Sequence, residues 1–114
     1  MSSSEKILFI QFEFDGDGFE FEQDARQLAR PVSNVPGLAW KIWLSSPASG
    51  TFGGVYLFEN ERALNSFVDG PIAAQINGRP GYRNVEMKSF DVLAAPSLLT
   101  RAPLALKPAN ISDG

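Results

Sequence analysis

The chain contains neither cysteine nor histidine among its 114 residues. The lack of cysteine excludes disulfides, thiolate metal sites and thiol nucleophiles. The lack of histidine removes the commonest metal ligand, the usual haem ligand and the commonest general base. A Ser-His-Asp triad is therefore impossible, and acid–base chemistry must use a carboxylate, a lysine, a tyrosine, water or the substrate itself.

Charge and hydropathy exclude two further classes of partner. The net charge is −3, with ten basic and thirteen acidic residues, so no basic stripe is available to neutralise a nucleic-acid backbone. No apolar run approaches the roughly eighteen residues that a membrane helix requires. Residues 1–6 lack the features of a signal peptide. We expect a cytoplasmic protein that binds neither nucleic acid nor membranes. We also expect that it has no metal site.

The first strand is predicted over residues 6–14, where apolar side chains alternate with period two. One face of this strand is apolar and is predicted to face the core: Leu8, Ile10, Phe12 and Phe14. The other face carries residues of mixed polarity: Phe9, Gln11 and Glu13. This second face suits a cavity wall or a wet interface.

The rest of the chain alternates between helical and strand patterns. A helix is predicted over about residues 20–33, strands over 38–44, 51–58 and 85–92, and a second helix after the N-cap Asn60, with a short helical piece at 72–77. The order β-α-β-β-α-β is the ferredoxin-like α+β arrangement, an antiparallel sheet with both helices on one face. The face without helices, called the open face, needs a partner.

Two regions are predicted. Residues 1–95 form a single domain, in keeping with the length of the chain. Residues 96–114 are a Pro-rich tail that is either disordered or packed on a second subunit, with the second reading favoured for 96–106. Nine phenylalanines exceed what one thin core needs, which indicates an interface or a lined cavity.

Three segments together resemble the YdhR-like mono-oxygenase family: residues 36–43 (PGLAWKIW), 53–58 (GGVYLF) and 88–92 (KSFDV). Residues 12–16 (FEFDG) are similar in pattern. The resemblance implies a dimeric α/β barrel, in which two four-stranded sheets pack face to face and each subunit encloses a cavity. It also implies oxygenase chemistry without a cofactor, on an electron-rich aromatic substrate. The haem-degrading branch of these barrels depends on histidine, which this chain lacks.

The two tryptophans point to opposite faces of their strand because they are three residues apart. Trp40 shares its face with Leu38, Ile42 and Leu44 and is predicted to lie in the core under the helices. Lys41 and Trp43 are then expected on the open face, where Trp43 is either interface packing or a cavity wall.

Three residues are candidate catalytic groups. Glu13 is either a structural ion-pair partner of Lys41 or Lys88, or a base with a raised pKa. Lys41 is the candidate oxyanion stabiliser, and the Tyr56 hydroxyl could orient a phenol or ketone. Candidate substrate-binding residues lie on the same strands: Phe9, Gln11, Trp43, Phe58, Lys88 and Phe90. The loop residues Arg79, Tyr82 and Arg83 either gate the mouth of the cavity or form a solvated loop, and the second interpretation is favoured.

The expected function is a cofactor-independent mono-oxygenase that acts on a hydrophobic aromatic or polyketide-like molecule in a homodimer. The alternatives are a cyclase or isomerase that uses the same cavity without dioxygen, and a non-catalytic binding or stress-response module.

Overall fold

The computed structural model describes residues 4–105 of the chain. The strands are β1 Lys6–Phe14, β2 Leu38–Ser46, β3 Thr51–Phe58 and β4 Tyr82–Asp91, and the helices are α1 Gly18–Ser33, α2 Glu61–Val68, α3 Pro71–Gly78 and α4 Ala94–Leu99. A 3₁₀ turn, Pro47–Ser49, joins β2 to β3.

The four strands form one antiparallel sheet in the order β2-β3-β1-β4. This order is the ferredoxin-like α+β topology predicted from the sequence, and the prediction is confirmed. Helix α1 begins at Gly18, earlier than predicted, because the Asp17 side chain accepts a hydrogen bond from the Glu20 amide at 2.8 Å. Pro31 stays inside the helix, near its end.

The core lies between the sheet and the helices. The side chains of β1 that were predicted to face it do so: Leu8, Ile10 and Phe12 are almost fully buried, and Phe14 packs against the cluster. Most of the phenylalanines fill this core through ring contacts, such as the 4.6 Å separation of the Phe21 and Phe52 rings. An interface or a lined cavity was expected from the phenylalanine content. Most of the rings instead fill the core, and Phe12 and Phe21 also line a cavity between the sheet and the helices.

The faces of β2 are the reverse of those predicted. Lys41 pairs with Tyr56 and Trp43 pairs with Gly54, and both partners belong to the helix-covered face of β3. Lys41 and Trp43 thus lie under the helices, whereas Trp40 lies on the open face. The physical reason is a register shift between Leu38 and Trp40, since a bulge breaks the alternation that assigned both to one face.

The segment after β4 returns over the open face at one end of the sheet. Leu98 of α4 is buried, the Trp40 Nε1 donates to the Pro103 carbonyl at 2.8 Å, and the Ala105 amide donates to Glu5 at 3.0 Å. The helix α4 was not predicted. Packing of the tail on a second subunit stays a prediction, and residues 106–114 lie outside the described residues.

The remaining open face carries half-exposed apolar side chains. Ile42 is 52% exposed and Phe90 is 51% exposed, and Phe9 and Val55 lie between them in the sheet. Within residues 4–105, no helix is long and apolar enough to cross a membrane.

Candidate functional site

An apolar cavity lies between the helix-covered face of the sheet and the helices α1 and α3. Its aliphatic and aromatic walls come mainly from β1, α1 and α3, and polar groups enter from β2 and from the turn after α3. The free space is about 30 Å³, and about 10–15 Å³ on this measure is enough for one water molecule. A larger ligand therefore requires side chains to move, and the long polar ones can do so at least cost.

Lys41 enters this cavity from β2. Its Nζ lies 3.3 Å from the centroid of the Trp43 ring and 4.4 Å from that of Tyr56. Contact with the faces of two aromatic rings is a cation–π arrangement. Among residues 4–105, no carboxylate forms an ion pair with Lys41. The amine therefore faces rings and cavity space instead of a counter-charge.

Burial lowers the pKa of the Lys41 ammonium to about 7. The charged form loses hydration in the cavity, and no anion replaces the lost solvation. Near neutral pH this amine is present in both forms, so it can accept a proton or stabilise an anion. Burial also raises the pKa of the Tyr56 phenol, with a smaller contribution from Tyr82, and this hydroxyl stays protonated.

Gly54 creates the space that the Lys41 side chain occupies. A Cβ atom at position 54 would lie 2.7 Å from Cε of Lys41 and 3.3 Å from the Ile42 carbonyl oxygen. The neighbouring Gly53 has a different role, because a Cβ there would overlap the Ile10 carbonyl oxygen of the next strand. The absence of a side chain at Gly54 thus leaves room for Lys41 in the cavity, and its absence at Gly53 allows the close approach of the neighbouring strand.

The opposite end of the cavity holds a second polar group. Arg79, at the C-cap of α3, forms an ion pair with Asp24 of α1 at 3.2 Å, and both side chains are 28% exposed. The pKa of Tyr82 is raised to about 12, first by burial and then by the charge of Asp24. This arrangement connects α1, α3 and β4. Arg79 and Tyr82 both line the cavity, so the favoured interpretation of a solvated loop is wrong for these two residues, and the alternative, a position beside the cavity, agrees with the structure.

The structure brings together three of the predicted site residues: Lys41, Trp43 and Tyr56. Glu13 lies elsewhere, on the open face, where it accepts a hydrogen bond from Asn84 at 2.9 Å and lies 3.5 Å from Arg83. An ion pair of Glu13 with Lys41 or Lys88 was expected, and this expectation is wrong. Glu13 and Lys41 occupy opposite faces of the sheet.

The other predicted substrate-binding residues do not reach this cavity. Most lie on the open face, and they are Phe9, Gln11, Lys88 and Phe90. Phe58 is fully buried in the core, where its ring lies 5.4 Å from that of Phe67. The roles of these residues in binding remain predictions.

The helical contribution to the cavity was not predicted as part of a site. It consists of Phe21, Leu28 and Val32 from α1 and Ile72, Gln75 and Ile76 from α3. The apolar stripe of α1 was visible in the sequence, but a stripe alone does not distinguish a packed core from a cavity wall. Among the described residues, no cluster of acidic side chains is suited to holding a metal ion.

Solved structures share this fold. They include SnoaB, a cofactor-independent oxygenase from Streptomyces nogalater (mutant N63A; TM-score 0.65, 15% identity, 80% of this chain and 95% of that chain). The heme-degrader MhuD from Mycobacterium tuberculosis, solved with two hemes in its active site, gives a TM-score of 0.62 at 22% identity over 77% and 95% of the chains.

A dabb family protein with a ferredoxin-like fold from Mesorhizobium loti gives a TM-score of 0.61 at 16% identity, over 78% and 97% of the chains. At these identities the likeness shows the fold alone. No curated protein matches the chain in sequence. The family model described as "Putative mono-oxygenase ydhR" matches residues 7–103, nearly the whole described domain. The chain therefore belongs to the ydhR mono-oxygenase family.

Proposed function

We propose that this protein is a mono-oxygenase that oxidises a hydrophobic aromatic or polyketide-like molecule in the cavity around Lys41, without a cofactor. The observation that carries the proposal is the position of the Lys41 amine, 3.3 Å from the Trp43 ring centroid in a mainly apolar cavity. Family membership supports the oxygenase chemistry. The fold shared with the cofactor-independent oxygenase SnoaB agrees with it.

Lys41 has two roles in the proposed reaction. Its neutral amine accepts a proton from an acidic CH₂ or phenol group of the substrate, and the resulting ammonium pairs with the enolate or phenolate. An ion pair is strong in this cavity because little water competes for it. The ring of the substrate would pack against Trp43 and Tyr56, and the Tyr56 hydroxyl would donate a hydrogen bond to its oxygen.

The electrons for dioxygen come from the substrate. The carbanion transfers electrons to dioxygen and forms a carbon–oxygen bond, giving a hydroperoxide at the former CH₂ carbon. Loss of water then leaves a carbonyl group. One oxygen atom stays on the carbon and the other leaves as water with the two hydrogens of the CH₂ group, so the reaction balances without an external reductant.

The proposed site lies between the sheet and the helices, whereas the family resemblance implied a cavity in a barrel of two sheets packed face to face. Glu13 is replaced as the base by Lys41 or a water molecule, since Glu13 lies on the open face. Homodimerisation through the open face remains part of the proposal, because Ile42 and Phe90 leave large apolar surfaces exposed there. The cytoplasmic location stays a prediction.

The test uses anthrone, a tricyclic ketone with an acidic ring CH₂ group, in an oxygen electrode with product absorbance recorded in parallel. We expect oxygen uptake equal to product formed, and a loss of about 10²-fold in rate in Lys41→Met, as for removal of a general base. Lys6→Met is the matched control, since the Lys6 amine pairs with Asp91 at 2.7 Å and does not line the cavity, and it should keep the wild-type rate.

Other results would favour the alternatives. Conversion that continues unchanged under strict anaerobiosis would indicate a cyclase or isomerase. Saturable binding of the aromatic ligand without any conversion, across a panel of acidic polycyclic compounds, would indicate a binding module. A Lys41→Met variant with the full wild-type rate would remove the catalytic role of the lysine.

A further inference from the structure

We propose that Lys41 is an imine-forming lysine: its amine condenses with aromatic aldehydes and ketones that enter the cavity from a surface pocket between α1 and β2. This activity uses the same cavity as the proposed oxygenase reaction, but it is a different chemistry. It requires neither dioxygen nor an acidic CH₂ group, only a carbonyl carbon that can reach the nitrogen.

A pocket on the protein surface gives a ligand a path to Lys41. A surface pocket of about 200 Å³ lies between the last turns of α1 and the edge strand β2. Lys41, Trp43 and Val32 border both this pocket and the inner cavity. The lysine therefore lies at the junction of the two spaces. A flat aromatic compound held in the outer pocket would present its carbonyl group to the amine.

Two aromatic rings beside Lys41 influence the orientation of its amine. The Nζ atom lies near the faces of the Trp43 and Tyr56 rings, at 3.3 and 4.4 Å from their centroids. The faces of aromatic rings are electron-rich and attract N–H hydrogens. A neutral amine in this position can turn its hydrogens towards the rings, which leaves its lone pair free to attack a carbonyl carbon.

The Lys41 amine is available in its neutral form. Among residues 4–105, no carboxylate is within ion-pair distance of Lys41, and burial lowers its pKa to about 7. The other ionisable groups that face the cavity are Tyr56 of β3, Tyr82 of β4 and Arg79 after α3. The two phenols stay protonated, and Arg79 is paired with Asp24.

The reaction balances with water as its only by-product. The amine adds to the carbonyl carbon to give a carbinolamine, the nitrogen loses its protons, and the former carbonyl oxygen leaves as water when the C=N bond forms. A proton donor is needed for that oxygen. Solvent supplies that proton, since burial raises the pKa of the Tyr56 phenol and makes it a weak acid.

The test treats the wild-type protein with benzaldehyde and sodium cyanoborohydride at pH 7, followed by peptide mapping by mass spectrometry. Cyanoborohydride delivers hydride to the imine and fixes the benzyl group on the nitrogen. Ordinary exposed lysines are almost entirely protonated at this pH, so we expect Lys41 to react at least about tenfold faster than Lys88. The Lys41 rate should level off above pH 8.

Two comparisons separate a specific site from general reactivity. Acetaldehyde has no ring, so its preference for Lys41 over Lys88 should be clearly smaller than that of benzaldehyde. Gly54→Ala displaces the Lys41 side chain and should slow labelling at Lys41 without changing labelling at Lys88. Lys41→Met should lose the rapid phase of labelling.

Benzyl groups spread evenly over Lys6, Lys41 and Lys88 would overturn the proposal, as would an equal preference for Lys41 with both aldehydes. The imine proposal and the oxygenase proposal can be contradicted independently of each other. Oxygen uptake with anthrone but no selective labelling would contradict only the imine chemistry. Selective labelling without oxygen uptake on any acidic polycyclic compound would contradict only the oxygenase.

Discussion

The Lys41 side chain lies in a cavity that offers it two aromatic rings and, among the described residues, no ion-paired carboxylate. Natural cores rarely bury a lysine in this way, because the ammonium loses hydration. The chain accepts this cost at one position, next to a glycine whose Cβ would contact Cε of the lysine. Unpaired polar groups of this kind mark functional sites more often than structural ones.

Lys41→Met should stabilise the protein at neutral and acidic pH. The folded-state pKa is about 7 and the ordinary value is 10.5, so the unfolded chain binds more protons between these two values. Wild-type stability therefore rises with pH across this window, by up to about 1.4 kcal/mol per pH unit. The advantage of Lys41→Met should be largest below pH 7 and should shrink towards pH 10.5.

Urea unfolding at pH 6, 8 and 10, followed by tryptophan fluorescence, measures this effect. Lys88→Met is the control for the loss of a lysine, because Lys88 lies exposed on the open face. A Lys41→Met difference that is identical at all three pH values would show that the lysine is not desolvated in the folded protein.

Substitutions of the two adjacent glycines should separate function from stability. Gly54→Ala pushes against a flexible side chain, so it should displace Lys41 and lower activity while costing only about 1 kcal/mol of stability. Gly53→Ala pushes against the Ile10 carbonyl of the next strand. It should cost clearly more, about 2–3 kcal/mol or more. The free energy of unfolding and the anthrone rate of both variants test this, and the reverse order of stabilities would contradict it.

At the scale of the elements, periodicity predicted the strands and the helices well, because each has one apolar face. It could not predict which face of β2 the helices cover. The face of β2 that contains Ile42 is more apolar than the face that contains Lys41, so it resembles a core face more closely. The register shift between Leu38 and Trp40 is a feature of the pairing of β2 with β3. Helix α4 was missed because a six-residue helix with an internal proline has little pattern of its own.

Helix α1 depends on its N-cap for its first turn. Asp17→Ala removes the acceptor of the 2.8 Å hydrogen bond from the Glu20 amide, and should lower stability by about 1 kcal/mol. Glu22→Ala is the control, because it removes only an exposed ion pair with Arg26, worth about 0.3–0.5 kcal/mol. Urea unfolding compares them. Equal losses would contradict the capping role of Asp17.

At the scale of the whole molecule, the two faces of the sheet have different roles. The helix-covered face holds the cavity and the core, while the open face is covered only in part by the segment after β4. The cavity was predicted on the open face, since a bare sheet face needs a ligand or a partner to cover it. We propose that the substrate binds under the helices and that the second subunit packs on the open face.

Ile42→Arg should dissociate the proposed dimer. Ile42 is 52% exposed on the open face, and a charge at a matching position in both subunits would be desolvated and repelled. The control is Phe19→Arg, which changes a residue of α1 that is 71% exposed. Sedimentation at micromolar concentration should give a dimer for the wild type and Phe19→Arg and a monomer for Ile42→Arg. A monomeric wild type would contradict the pairing of open faces.

The central claim is that the functional site is the cavity around a desolvated Lys41. The most direct measurement is an NMR titration of the protein labelled with ¹³C at the lysine ε-carbons, with the Lys41 signal assigned from its absence in Lys41→Met. We predict a midpoint near pH 7 for Lys41, and an upward shift when an acidic aromatic ligand binds. A midpoint near 10.5 that no aromatic ligand changes would contradict the claim.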